Sequence, residues 1–339
     1  MKKIHSILMA AVLVAGSLTS CSSDDQESKT AQSQQEIKFS ANLGEAFTRA
    51  TAATTTATLT GFNLYAFDGT TAYMSDIAFS KSESTYTAAS GTYYWPSSNS
   101  LSIFAWSPAS AITPTVTSAS QTFTYNISDW KSAVDLVVSD LAAKSPSSAA
   151  LTFNHMLSWI NIEAKMAAGS NYVVTLNSVT LKNILPQLSY NSANTPKCSA
   201  DGTAADYLID CTDMALTTTA QSVAEGSNLI MLVPQTLTGA VTEGTSITGT
   251  LIAANITVKK NDVQLYTGTV NIPLKSSDGG LEDWAAGKKY TYTLEFGDET
   301  TTNGIGYDDS GNKVALGANV ALTATVTDWT DGVGGTVTF

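Results

Sequence analysis

Along most of this chain the apolar residues recur at every second position, and after the first twenty residues no long stretch places them at helical spacing. A period of two puts alternate side chains on opposite faces of an extended strand, so the pattern commits the chain to sheets. Thr and Val alternate repeatedly, and clusters of Ser, Asn, Asp and Gly separate the runs at intervals of ten to fifteen residues. Strand-forming runs between polar turns at that spacing predict an all-β fold of sandwich type. At 339 residues, with 43% hydrophobic and 14% charged, the chain is long enough for two domains, each with its own core.

The N-terminus reads as an export signal over residues 1–20. Lys2 and Lys3 supply the positive start, and Ile7 to Ala15 form an apolar stretch too short for a permanent membrane anchor. It ends in Leu18-Thr19-Ser20-Cys21, which resembles a bacterial lipobox and implies cleavage before Cys21 and lipidation of its thiol. Ser22-Ser23-Asp24-Asp25-Gln26-Glu27 comes next, similar to the acidic tether of surface-exported lipoproteins of Bacteroidota. The polar stretch 22–35 is expected to be solvated.

Residues 36–45 begin the alternation. Ile37, Phe39, Ala41 and Leu43 fall on one phase, with Lys38, Ser40 and Asn42 on the other, a half-buried strand. A loop of small residues, 46–58, carries Arg49, the only arginine in the chain. Between 151 and 164 the inward phase changes near Ser158, which predicts a bulge or a strand that moves to another sheet. Residues 166–171 are the expected linker between a first domain, 50–166, and a second, 172–339. Leu229 to Val233 is unbroken apolar and predicts a central strand covered on both faces. A hairpin is expected around Lys259-Lys260-Asn261-Asp262.

The inventory for chemistry is thin. The net charge of −12 disfavours phosphate backbones, so nucleic acid is not an expected partner. Beyond the signal the chain has one histidine, His155, on the inward phase of a strand and so expected as a hydrogen-bonded core residue. No second histidine exists there for a catalytic dyad or a multi-histidine zinc site. Asp308-Asp309-Ser310-Gly311-Asn312 lacks the alternating carboxylates and closing Glu of a calcium loop and reads as a turn. The expectation is no catalytic residue, no metal and no cofactor. Trp95, Trp106 and Trp130 are candidates for stacking on sugars or for the core. Cys198 and Cys211, an even pair in an exported chain, permit a disulfide.

Several stretches, taken in order, resemble the fimbrillin family, the pilins of Bacteroidota type V pili. They are the lipobox with its tether, Phe47-Thr48-Arg49-Ala50, Tyr94-Trp95-Pro96 with Phe104-Ala105-Trp106, and Asp135-Leu136-Val137-Val138-Ser139. Phe153-Asn154-His155-Met156-Leu157-Ser158, Val233-Pro234-Gln235, the run from Trp284 to Tyr290, and Val326-Thr327-Asp328-Trp329 complete the set. The resemblance implies two transthyretin-like sandwich domains in tandem and delivery to the outer membrane surface by the lipoprotein export machinery. It also implies an arginine-specific surface protease cutting between Arg49 and Ala50, which removes 21–49 with its strand (Ile37, Phe39, Leu43). Polymerisation with other fimbrial subunits by strand exchange would be the outcome.

Loss of an alternating strand leaves an apolar groove and a row of unpaired backbone groups, and a strand from another subunit can fill both. The candidate donor is the tail 330–339, where Val333, Val337 and Phe339 share a phase and Val337-Thr338-Phe339 repeats the pattern of Ile37-Lys38-Phe39. Gly332, Gly334 and Gly335 interrupt that tail. A tip or accessory adhesin, or a surface lipoprotein gripping glycan or a host protein, is therefore the alternative reading. Residues 50–339 hold twelve lysines against twenty-four acidic residues, −12 again, so removal of the first segment acts through packing and pairing and not through charge.

Overall fold

The computed structural model describes residues 35–43, 54–224, 229–242, 244–275, 281–297, 306–314, 320–328 and 335–338. Among these the protein is all-β, with only two single-turn 3₁₀ helices. The described residues from Gln35 onwards form one compact unit.

The first sheet has seven strands in the order Ser40–Leu43, Ala150–His155, Val137–Lys144, Leu101–Ser107, Gly61–Asp68, Thr71–Ser82, Thr85–Ala88. Its neighbours are antiparallel except for Ser40–Leu43, which runs parallel to Ala150–His155. The sheet curls around its own core of Phe62, Leu64, Phe79, Ile103, Val137, Leu151 and Phe153. Curling is what the right-handed twist of a long antiparallel sheet favours, and it brings the two ends of the sheet towards each other.

A second sheet holds Gln221–Ser222, Ser158–Met166, Lys288–Phe296, Val320–Asp328 and Gly335–Thr338 in that order, with Ile230–Leu232 also paired to Ser158–Met166. A third runs Ala205–Ala215, Val173–Ile184, Leu251–Lys260, Val263–Pro273. Their inner faces share one core, Ile160, Ile162, Tyr292 and Leu322 from one sheet and Val174, Leu176, Ile256 and Ile272 from the other. Phe104, Trp106 and Val138, on the outer face of the first sheet, join this second core, so Leu101–Ser107 is covered on both faces.

The phase change near Ser158 is a strand changing sheets. Ala150–His155 ends in the first sheet and Ser158–Met166 starts in the second. The crossing falls at Met156 and Leu157, ahead of the expected linker. At 166–171 the chain turns within the second half, where Met166 N donates to Thr217 O and Ala167 N to Phe296 O. A small fourth sheet pairs Gln121–Asn126 with Gln187–Asn191 and so joins the two expected domains directly. The hairpin forms as read, with Leu251–Lys260 against Val263–Pro273. Asn261 and Asp262 both have positive φ (51° and 61°), the pairing that a tight two-residue turn requires. Leu229 to Val233 is buried throughout but not central: Ile230–Leu232 pairs on one side, with Ser158–Met166.

Candidate functional site

The site is the cradle that holds the first strand. Ile37, Phe39, Ala41 and Leu43 point into the first core, with exposures of 2%, 1%, 7% and 6%, while Lys38, Ser40 and Asn42 face solvent. This is the alternation of the sequence expressed in three dimensions. Complete burial of a side chain such as Ile37, Phe39 or Leu43 contributes about 1.5–3 kcal/mol each.

The backbone of the segment changes partners halfway along. Over 35–39, Ile37 N donates to Tyr93 O, Trp95 N to Gln35 O, and Phe39 and Tyr86 exchange two bonds. From Ser40 onwards the partner is the opposite end of the sheet: Ser40 N donates to Ala149 O, and Ser40, Ala41, Asn42 and Leu43 register with Ala150, Leu151, Thr152 and Phe153. One segment thus bridges the two terminal strands of the sheet, Thr85–Ala88 and Ala150–His155.

The pocket under Phe39 is aromatic. Its ring lies 5.3 Å from Phe79, 6.2 Å from Trp95 in an edge-on arrangement, and 6.4 Å from Phe62. Behind it Phe62 stacks on Phe79 at 5.7 Å and meets Phe153 at 5.3 Å and Tyr86 at 5.0 Å. Such ring pairs add to simple area burial because edges and faces carry opposite partial charge. Burial pushes the Tyr86 hydroxyl pKa up, and that hydroxyl donates to Leu59 O at 2.7 Å.

Residues 54–59 form a second wall. Thr54 N donates to Asp135 Oδ2 at 2.7 Å, and Asp135 Oδ1 lies 2.8 Å from His155 Nδ1. Both side chains are only 2% exposed. A carboxylate accepts only, so its contact places the imidazole proton on Nδ1. His155 is therefore the hydrogen-bonded core residue the sequence predicts. The contact from Asp135 to Thr54 escapes sequence reasoning; the signal for it is a carboxylate heading the apolar run Leu136-Val137-Val138.

Of the other sequence-predicted positions, Cys21, Arg49, Ala50, Val333 and Phe339 lie outside the described residues. Val337 falls in Gly335–Thr338, which pairs antiparallel with Val320–Asp328 opposite Ala324, on the edge of the second sheet. The permitted disulfide is corrected: no bridge joins Cys198 and Cys211. They stand on strands of different sheets, and Cys211 Sγ is turned to Leu176 O at 3.7 Å. Trp95, Trp106 and Trp130 are core residues, exposed by 3%, 1% and 4%. Asp308 closes a turn by accepting from Ser310 N, Asn312 N and Asn312 Nδ2, and these bonds hold its carboxyl below the usual range. Among the described residues no group of three or more His, Cys, Asp or Glu could hold a metal, and no helix is long and apolar enough to cross a membrane.

A family model described as fimbrillin-like matches residues 48–329. The chain belongs to the fimbrillin-like family. The matched span begins past the first strand and covers the rest of both cores. No curated protein matches the chain at a significant level. Among solved structures, a fimbrial protein of Bacteroides vulgatus is similar, with a TM-score of 0.53 at 16% identity over 86% of this chain and 99% of that one. A candidate cell adhesion protein of Bacteroides uniformis gives 0.52 at 16% identity, over 87% and 98%. Another, of Parabacteroides distasonis, gives 0.51 at 13% identity, over 88% and 98%. At these identities the likeness establishes that this fimbrillin-like chain shares their fold.

Proposed function

We propose that this fimbrillin-like protein is a structural subunit of a cell-surface fimbria and that its first strand is a removable placeholder for a strand of another subunit. The observation that carries this reading is the double attachment of one short segment to both ends of the first sheet. A segment so placed can leave without breaking any other strand pairing of the first sheet. Its departure uncovers an aromatic pocket and two rows of backbone groups that had partners. An incoming strand with apolar residues at alternate positions restores both, which is β-strand addition.

In this reading the chain is exported as a lipoprotein anchored at Cys21 in the outer membrane, and an arginine-specific surface protease cuts at the single arginine, Arg49, so that the mature subunit begins at Ala50. The tail 330–339, with Val333, Val337 and Phe339 in one phase, is the donor. Its strand Gly335–Thr338 is held at a sheet edge through four residue pairs, a short ladder to release. The same pairing favours a second reading, in which the tail stays in its own sheet and the protein caps a fimbria as a tip or accessory adhesin.

The test is N-terminal sequencing and unheated gel electrophoresis of material sheared from cells. Chains starting at Ala50 in a ladder that collapses on boiling are the expected result. Chains starting at Cys21 would overturn the processing, and a single band that starts at Ala50 would favour the accessory subunit.

A further inference from the structure

We infer that Asp135 is a latch for the start of the mature subunit: it fixes residues 54–59 to the first sheet independently of the first strand, so that processing frees only the residues upstream. The inference rests on the proposed cut after Arg49 and assigns a positioning role to a buried carboxylate that the fold alone does not require.

Burying a carboxylate is costly unless its lone pairs are satisfied, and apolar packing would serve a sandwich core equally well. Asp135 is satisfied by two donors from distant parts of the chain. His155, at the end of the strand that flanks the first strand, supplies one at 2.8 Å. The other is the backbone N–H of Thr54, at 2.7 Å and eighty-one residues away in sequence. Thr54 Oγ1 adds a longer bond to Asp135 O at 3.5 Å. A side chain that spends one of its two oxygens on a main-chain amide outside any strand is holding that backbone in place.

The residues after Thr54 are tied down as well. Thr55 and Thr58 cap each other's amides, at 2.7 and 3.0 Å, and Leu59 N donates to Thr55 O at 2.7 Å. Lys81 Nζ donates to Thr56 O, and the Tyr86 hydroxyl to Leu59 O, both at 2.7 Å. None of these bonds is to residues 35–43. The leaving strand and the staying segment share Tyr86, but through different groups: its backbone serves Phe39 and its hydroxyl serves Leu59. Leu59, 1% exposed, belongs to the same core as Phe39. With the latch closed, that wall of the groove stays in place when the strand departs, and the incoming strand meets a formed acceptor.

The test is hydrogen exchange by mass spectrometry on the full chain, before and after treatment with an arginine-specific protease. The wild type is compared with Thr54→Pro, which removes the N–H together with the longer Oγ1 bond and leaves Asp135 and His155 together, and with Asp135→Ala. In the cut wild type, amides of 55–60 should exchange as slowly as in the uncut protein. In Thr54→Pro they should exchange about tenfold faster, the worth of roughly one lost hydrogen bond of local stability, with the strands of the second sheet unchanged. Asp135→Ala, which removes both acceptor oxygens, should do the same, and if it fails to fold the proline variant decides alone. Equal exchange in wild type and Thr54→Pro overturns the latch, as does loss of protection at 55–60 in the wild type upon cutting. If the protease does not cut after Arg49, the processing reading falls, while the uncut comparison still decides whether Asp135 holds the segment.

Discussion

Phe39 and Tyr86 exchange both of their backbone hydrogen bonds, Phe39 N to Tyr86 O at 3.0 Å and Tyr86 N to Phe39 O at 2.8 Å. The Phe39 ring meanwhile sits in the core beside Phe79 and Trp95. The pair ties the first strand to one end of the sheet while Ser40–Leu43 ties it to the other. Everything expected of the placeholder depends on that geometry.

Phe39→Ala is the first consequence. In the unprocessed chain it empties an aromatic pocket and should cost about 3–5 kcal/mol of stability, as deletion of a buried phenyl ring does. In processed, assembled material the residue is absent, so the variant should be as stable as the wild type. Urea unfolding of both forms checks this. An equal loss in both would mean that the first strand is retained.

Deleting residues 330–339 should leave a processed subunit able to accept a strand but not to donate one. Among the described residues this removes the edge strand Gly335–Thr338 of the second sheet, so the fold should persist by circular dichroism. Mixed with wild type, the truncated chain should shorten the ladder in proportion to its share. A ladder of unchanged length would place the donor elsewhere.

Cys21→Ala should give an unlipidated precursor that stays off the outer surface. Detergent partitioning and surface proteolysis of intact cells report on this together. A variant that reaches the surface and still partitions into detergent would rule out the lipid anchor.

The cysteines give a prediction free of the fimbrial reading. With no bridge between Cys198 and Cys211, a reducing agent should not alter the thermal midpoint. Burial, and then the neighbouring Asp140 carboxylate, push the Cys198 thiol up to about 11, with Lys197 opposing in part. The thiolate is the reactive form, so alkylation of Cys198 should be slow near neutrality and should accelerate as the pH rises towards that value. Rapid labelling at neutral pH would contradict the environment described.

Asp140 also accepts from the Tyr190 hydroxyl and from Lys197 Nζ, each at 2.7 Å, and so links the first sheet to the small fourth sheet. Asp140→Ala removes the anchor of Tyr190, whose hydroxyl is buried and already far above its usual range. A loss of about 1–3 kcal/mol is expected by chemical denaturation, the cost of stranding a buried hydroxyl. A neutral substitution would show that water takes the place of the carboxylate.

Features with a local period could be read from the chain alone. The alternation of Ile37, Phe39, Ala41 and Leu43 decided which face is buried, because successive side chains in a strand must point to opposite sides. The phase flip near Ser158 marked a bulge or a change of sheet, of which the structure has the second, and Lys259-Lys260-Asn261-Asp262 marked a hairpin. His155 could be read as a core residue from its phase. Partner choice belonged to the tertiary structure. Nothing local says that the first strand joins Ala150–His155 at one end and Tyr86 at the other, that Thr54 meets Asp135, or that Gln121–Asn126 joins the two halves. Each of those contacts spans dozens of residues, and the same strand pattern satisfies many alternative pairings. Curvature of the sheet and closure of its core select among them, and those are properties of the whole chain.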